Sequence, residues 1–193
     1  LTFLEKMDKV YRVTIRLGAI SDTYDAKGKI ISQFDKNDNL LFPKITRSRV
    51  EQILEEEFLG ERSQMPPIFS AIQINGKRAY DLARKGKEVK LKERSVQFFD
   101  LKVKAFAWPL LELEVHCGSG TYVRSLAHDL GKRLGCGGYV QELRRVKIGH
   151  FKITDAVKLD ELTSATLVKF MRKPEELFHH FQQLVLSESE YNT

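Results

Sequence analysis

Residues Val10 to Leu17 alternate between two kinds of position, with Tyr11, Val13, Ile15 and Leu17 on one side and Arg12, Thr14 and Arg16 on the other. A period of two residues predicts a half-buried strand. The polar stretch Ser21 to Lys29 reads as a loop, Lys29 to Phe34 as a return strand and Asp35 to Asn39 as a turn. From Thr46 the period lengthens. Val50, Ile53, Leu54 and Phe58 fall on one face of a helix that Thr46 can cap and Gly60 stops. Glu61 to Pro67, ending in two prolines, reads as irregular. Phe69 to Ile74 is predicted as a strand, Asn75-Gly76 as a tight turn and Lys77 to Lys85 as a short helix ended by Gly86.

Two further strands follow, Ser95 to Phe106 and Leu110 to Cys117, joined at Trp108-Pro109. The second strand runs into Gly118-Ser-Gly-Thr121, which opens a helix to about Leu134, stopped by Gly135-Cys-Gly-Gly138. Tyr139 to Ile148 returns as a strand, and the tail from Leu159 is helical and fragmentary. These elements give an α+β fold: one domain on a mostly antiparallel, mixed sheet flanked by helices.

The composition, 42% hydrophobic and 30% charged over 193 residues, is that of an ordinary globular domain. No apolar run approaches the length of a membrane span, so no membrane partner is expected. Leu1 to Met7 has neither a starting Met nor a basic leader and reads as the interior of a longer sequence. Cys117 and Cys136 lack zinc-ligand spacing, so the expectation is no metal and two reduced, buried thiols in a cytoplasmic protein.

The net charge is +6. Its distribution says more: Lys77, Arg78, Arg84, Lys85, Lys87, Lys90, Lys92 and Arg94 lie close together, and Arg144, Arg145 and Lys147 form a second cluster. Basic residues interleaved with Phe69 and Tyr80 suit a polyanion such as RNA. Gly118-Ser-Gly-Thr121 lacks the Lys-Ser/Thr of a P-loop and the third glycine of a dinucleotide fingerprint. The loops at Asp22 and Asp35 lack the Gly and Glu of a calcium loop. Arg124, where a strand becomes a helix, needs an anionic partner if it is buried, and Asp129 on the same helix is one candidate.

Several segments together resemble the TruB family of tRNA pseudouridine-55 synthases. They are Lys9-Val-Tyr-Arg12, Ser21-Asp-Thr23 through Gly28, Gln64-Met-Pro-Pro-Ile-Phe-Ser-Ala71, Asn75-Gly-Lys-Arg-Ala-Tyr80, Ala83-Arg-Lys-Gly86, Gly120-Thr-Tyr-Val-Arg124, Asp129-Leu-Gly131, Leu134-Gly-Cys-Gly137 and Leu143-Arg-Arg145. The match runs unbroken over about residues 1–163, with 164–193 a helical tail and no complete PUA domain. The resemblance implies the pseudouridine synthase catalytic fold and conversion of uridine-55 of the tRNA T-loop to pseudouridine. It also implies a monomer acting without cofactor or metal on the T-stem-loop.

By the same resemblance, Tyr11 stacks on the target base and handles a proton, Tyr122 and Leu143 line the base pocket, and Arg124 pairs with the catalytic aspartate. Residues of about 64–94, with Lys77, Arg78 and Arg84, match an RNA-gripping insertion, and Arg144 and Arg145 add RNA contacts. Two departures stand out. Gln73 replaces a family lysine, and the G-H-x-G-x-L-D-P segment that carries the nucleophilic aspartate does not occur in residues 1–193. The chain is therefore expected to be a catalytic domain lacking its N-terminal segment and inactive alone. The alternative is a non-catalytic tRNA-binding, chaperone-like module or inactive paralogue.

Overall fold

The computed structural model describes residues 5–32, 45–74, 76–84, 89, 91–173 and 176. The chain divides into a unit of residues 1–154 and a second of residues 155–193. In the first, a six-stranded antiparallel sheet is built from β1 (Lys9–Leu17), β4 (Gly60–Gln64), β7 (Arg94–Ala107), β8 (Leu110–Cys117), β9 (Gly138–Ile148) and β10 (Phe151–Lys152). Their spatial order is β10-β9-β1-β8-β7-β4. Two small ribbons complete the strands: β2 (Ala19–Ser21) with β3 (Ile30–Ser32), and β5 (Gln73–Ile74) with β6 (Lys77–Arg78). Among the described residues, the helices this unit sets around the sheet include α1 (Arg47–Ile53), α2 (Ala79–Arg84) and α3 (Val123–Arg133).

Central β1 follows its alternation: Val13, Ile15 and Leu17 are buried, with Leu111, Leu113 and Val115 of β8 beside them. Val50 and Ile53 of α1 and Val123, Leu126 and Leu130 of α3 join the same cluster. Both helices thus cover one face of the sheet. The opposite face carries Arg12, Thr14, Glu112, Glu142 and Arg144 around a cavity of about 670 Å³. An antiparallel sheet tolerates such a polar face because its ladder satisfies the backbone internally.

Thr46 caps α1 as expected, its Oγ1 accepting from the Arg49 amide at 3.2 Å. The helix then widens into a π turn, Leu54–Phe58, closed by the Leu59 N–H donating to the Leu54 carbonyl. Leu54 and Phe58 remain buried through it. Gly60, at φ +90°, redirects the chain straight into β4.

That strand corrects the expectation of an irregular segment over Glu61 to Pro67. Its residues are polar, so periodicity gives no signal, but Gly60 to Gln64 pairs in register with Phe98 to Arg94 on the edge of β7. Conversely, of the strand expected over Phe69 to Ile74 only Gln73–Ile74 forms. The carbonyls of Ser70 and Ile72 accept from the Tyr80 and Ala79 amides, which holds the chain in a bend. Lys77 and Arg78 belong to a ribbon strand rather than to the start of a helix. Asn75, Lys85–Glu88 and the turn expected at Asp35 to Asn39 lie outside the described residues.

Helix α3 meets the start of β9 so closely that a Cβ on Gly131 would collide with the backbone of Gly137 and Gly138. This contact explains Gly131 and Gly138, whereas Gly135 has open space around it and instead adopts φ +74° after the helix. In the second unit, residues 159–161 form a 3-10 turn and α4 spans Leu167–Phe170. No helix among the described residues is long and apolar enough to cross a membrane.

Candidate functional site

The site is built where β8 passes through Gly118–Thr121 into α3. Gly118 hangs from β7 through its amide to the Gln97 carbonyl, 2.8 Å, and Thr121 Oγ1 donates to the Gly118 carbonyl at 2.9 Å. Tyr122 occupies the N-cap position with extended backbone angles, and its side chain makes no capping bond. The residue that holds Tyr122 comes from elsewhere. Gln64, 4% exposed at the end of β4, accepts from the Tyr122 amide through Oε1 at 2.8 Å. Its Nε2 donates to the Tyr122 carbonyl at 3.1 Å. On the other side the Arg94 guanidinium lies 6.0 Å from the Tyr122 ring centroid, within reach of a cation–π contact.

Arg124 sits in the first turn of α3, its side chain about one quarter exposed. Nη1 donates to the Thr23 carbonyl and to Asp25 Oδ2, both at 3.1 Å, and Nη2 donates to the Phe69 carbonyl at 2.9 Å. Its carboxylate partner is thus Asp25, from the loop after β2, and not Asp129 of its own helix. Burial raises the pKa of Asp129, against the opposing influence of Lys132 and Arg133. Asp25 is itself held through both oxygens, since Oδ1 accepts from Thr23 Oγ1 at 2.7 Å and from the Lys27 amide at 3.0 Å. Ser125, also buried, donates to the Met65 carbonyl at 2.7 Å. Three separate segments, at residues 23–25, 64–65 and 69, are therefore held by the N-cap and first turn of one helix.

A second cluster lies along β1. Tyr11 packs against the core, and burial pushes its phenol pKa up, against an opposing hydrogen bond from Arg145. Lys9 donates to the carbonyls of Glu5 and Met7 at 2.7 and 2.6 Å, and burial, followed by the nearby Arg145, lowers its pKa. Burial raises the Cys117 thiol to about 11, despite a hydrogen bond to Thr121. A phenol with a raised pKa keeps its proton at neutral pH and can share it with a bound group. Thr121 and Cys117 link this cluster to the α3 turn, although among the described residues no hydrogen bond joins Tyr11 to Arg124.

The basic residues are not one patch. Arg144 stands opposite Arg12 and lines the cavity on the polar sheet face, whereas Arg145 stands opposite Tyr11. Neighbouring residues of a strand point to opposite faces, so the pair read as one cluster is divided by the sheet. Leu143, opposite Val13 and 45% exposed, shares the Tyr11 and Arg145 side. Arg78 bonds the Tyr80 hydroxyl at 3.2 Å and lies 5.9 Å from its ring centroid. Lys77 and Arg84 are placed by backbone only, in β6 and at the end of α2.

The TruB family pseudouridylate synthase N-terminal domain matches residues 1–123, and the tRNA pseudouridylate synthase B C-terminal domain matches residues 124–185. This chain belongs to the TruB family. A tRNA pseudouridine synthase B of Clostridium tetani is 35% identical over 186 residues, which cover 96% of this chain and 62% of that protein. One from Aquifex aeolicus is 43% identical over 165 residues, covering 84% and 55%. The chain thus spans a little over half the length of these TruB relatives. Among solved structures, a Cbf5-Nop10-Gar1 complex matches with a TM-score of 0.57 at 23% identity, over 83% of this chain and 36% of that one. An H/ACA RNP bound to a substrate RNA containing 2'-deoxyuridine matches at 0.54 and 20%, over 83% and 35%. These likenesses show the fold, the α+β pseudouridine synthase sheet.

Tyr11 lies on β1, Leu143 on β9 and Arg124 in the first turn of α3, while Tyr122 is the extended N-cap residue before that helix. Sequence reasoning missed Gln64 and Asp25 as the groups that hold Tyr122 and Arg124. Both lie inside segments that carried the resemblance, yet nothing in one dimension says that residue 64 meets residue 122 or that residue 25 meets residue 124.

Proposed function

We propose that this chain carries the nucleoside-binding side of a tRNA pseudouridine-55 synthase site. The observation that carries the reading is the Arg124 guanidinium beside Tyr122. It is fixed by two carbonyls and one carboxylate at the mouth of a sheet, in a chain of the TruB family. The reaction detaches uracil from ribose at N1, turns it and rejoins it at C5. Extruding the base costs a few kcal/mol, which stacking and hydrogen bonds in the pocket recover. In this reading Tyr11 stacks on the uracil and handles its proton, Tyr122 and Leu143 wall the pocket, and Arg124 orients the nucleophilic aspartate. Lys77, Arg78, Arg84 and Arg145 hold the T-stem-loop backbone, Arg144 on the opposite sheet face reaches RNA only beyond the pocket, and no cofactor or metal takes part. The protein acts as a cytoplasmic monomer.

Asp25 is not that nucleophile. Its two oxygens accept from Arg124, Thr23 and the Lys27 amide, three of about four acceptor sites, so the carboxylate is held by its own loop and by Arg124 rather than free to attack a substrate carbon. No G-H-x-G-x-L-D-P segment occurs in residues 1–193. The 193-residue chain is therefore expected to bind T-arm RNA and to form no pseudouridine alone. Tritium release from tRNA labelled at uridine C5 tests the second point, and turnover by this chain would refute the absence of its nucleophile.

Fluorescence anisotropy with a T-arm stem-loop tests the first. Binding should weaken steeply with salt, and Arg78→Ala should reduce the salt slope by about one counterion. Equal affinity for an unrelated hairpin would overturn the reading. The second reading, a tRNA-binding module without chemistry, is favoured by the occupied Asp25 carboxylate. It predicts T-arm binding that persists in the whole protein with Arg124→Ala, with no pseudouridine from the whole protein in either form.

A further inference from the structure

The turn that carries Asp25 contains a local contradiction. Tyr24 has φ +63°, and among the described residues it is the sole non-glycine in the left-handed region. There a Cβ crowds the neighbouring carbonyl, so turns that need this conformation ordinarily use Gly or Asn. A tyrosine persists there only if its surroundings hold it.

What holds it is His128. The two rings stack at a centroid distance of 3.9 Å with planes 11° apart. The imidazole Nδ1 is buried without a hydrogen-bond partner, so no bond at that nitrogen fixes the ring, and its packing is against Tyr24. The Tyr24 backbone is pinned as well: its amide donates to the Ser21 carbonyl at 3.1 Å and its carbonyl accepts from the Val140 amide at 3.0 Å.

The placement of this stack gives it a role. His128 follows Arg124 by four residues, so both project from one face of α3 on successive turns. Arg124 Nη1 bonds Thr23 and Asp25, the residues on either side of Tyr24, while His128 covers the Tyr24 ring between them. Two side chains of one helix face therefore clasp a three-residue turn. If Tyr24 left the left-handed conformation, the Thr23 carbonyl and the Asp25 carboxylate could not both meet Nη1. The bonds made here use both Nη1 hydrogens and one on Nη2, leaving Nε–H and one Nη2 hydrogen for a further anion.

We propose that Tyr24 and His128 are a positioning pair: their stack fixes the turn from which Thr23 and Asp25 hold Arg124, and so sets the direction of its remaining N–H groups. The consequence for catalysis rests on the reading of Arg124 given above, whereas the geometry itself does not.

The test uses the 193-residue chain and nitrogen-15 NMR of the Arg124 side chain. In the native protein the two Arg124 Nη1 hydrogens, both hydrogen-bonded, should exchange slowly. His128→Leu, which keeps bulk but loses the aromatic face, and Tyr24→Gly, which accepts the left-handed turn without strain but loses the ring, should each speed exchange by about tenfold. His128→Phe, aromatic without nitrogens, should restore it to within about twofold of native. A merely structural role would make Arg124 exchange follow the urea midpoint, and Tyr24→Gly separates the two by relieving strain. Exchange within about twofold of native in both His128→Leu and Tyr24→Gly would overturn the proposal. So would loss of protection in His128→Phe equal to that in His128→Leu. Should Tyr24→Gly not fold, the two His128 variants decide. Because neither turnover nor RNA affinity is read, failure here leaves the proposed function standing, and its failure leaves this result intact.

Discussion

Replacing Gln64 by Met isolates the two hydrogen bonds that fix Tyr122 from the space that Gln64 fills. The side chains are similar in length, and the position is 4% exposed, so little cavity or clash results. Two bonds go, from the Tyr122 amide to Oε1 at 2.8 Å and from Nε2 to the Tyr122 carbonyl at 3.1 Å. The carbonyl keeps a partner, the Leu126 amide at 3.2 Å, so its loss is one ordinary bond of about 0.5–1.5 kcal/mol. The amide is left with no acceptor, at a cost of about 1–3 kcal/mol. The sum is about 1.5–4.5 kcal/mol, a large share of the stability of a domain this size.

Urea unfolding with an unchanged m value measures it. Gln64→Glu provides an internal control. Protonated, it can accept from the amide and donate to the carbonyl as Gln does. Ionised, it turns an oxygen toward the Tyr122 carbonyl. Its folded pKa is therefore raised above the unfolded value of about 4.3, so its stability is highest in acid and falls as pH rises through the folded value. A Gln64→Met cost under about 1 kcal/mol, or a Gln64→Glu variant indifferent to pH, would show that water reaches the Tyr122 amide and that Gln64 is not its anchor.

Gly131→Ala should destabilise by about 2 kcal/mol or more even though Ala favours helices, because the new methyl meets the backbone of Gly137 and Gly138 and neither can swing aside. A urea midpoint equal to the native one would refute the close approach. Cys117 ionises near 11 in the fold against an ordinary 9.0, so the folded state holds its proton longer. The resulting stabilisation, roughly 2–3 kcal/mol, is complete below pH about 9 and fades as pH rises toward about 11. Urea midpoints of the native protein and Cys117→Ala should converge over that interval. Arg145→Ala removes the hydrogen bond that opposes burial at Tyr11, so ultraviolet titration should find the Tyr11 phenol ionising at higher pH than in the native chain. Unchanged titration would place Arg145 away from the phenol.

Residue order alone settles the parts of this protein that repeat along one dimension. The alternation in Val10 to Leu17 and Leu110 to Cys117 determined the buried faces of β1 and β8, because side chains on a strand have only two directions to point. The spacing of Val50, Ile53, Leu54 and Phe58, with Thr46 before it, did the same for α1. Ordered segments from Lys9 to Arg145 carried the family.

Tertiary structure decided the rest. Residues Gly60 to Gln64 are polar and show no period, and they became a strand only because the edge of β7 offered a ladder. Arg124 received Asp25 rather than Asp129. On a helix, neighbouring side chains five apart diverge, while the loop after β2 is folded back over the first turn of α3. Arg144 and Arg145, adjacent in sequence, were sent to opposite faces by the pleat. Gln64 and Tyr122, 58 residues apart, became one hydrogen-bonded unit. Local preferences fix which way each side chain points, but which distant group waits there depends on how the loops close over the sheet.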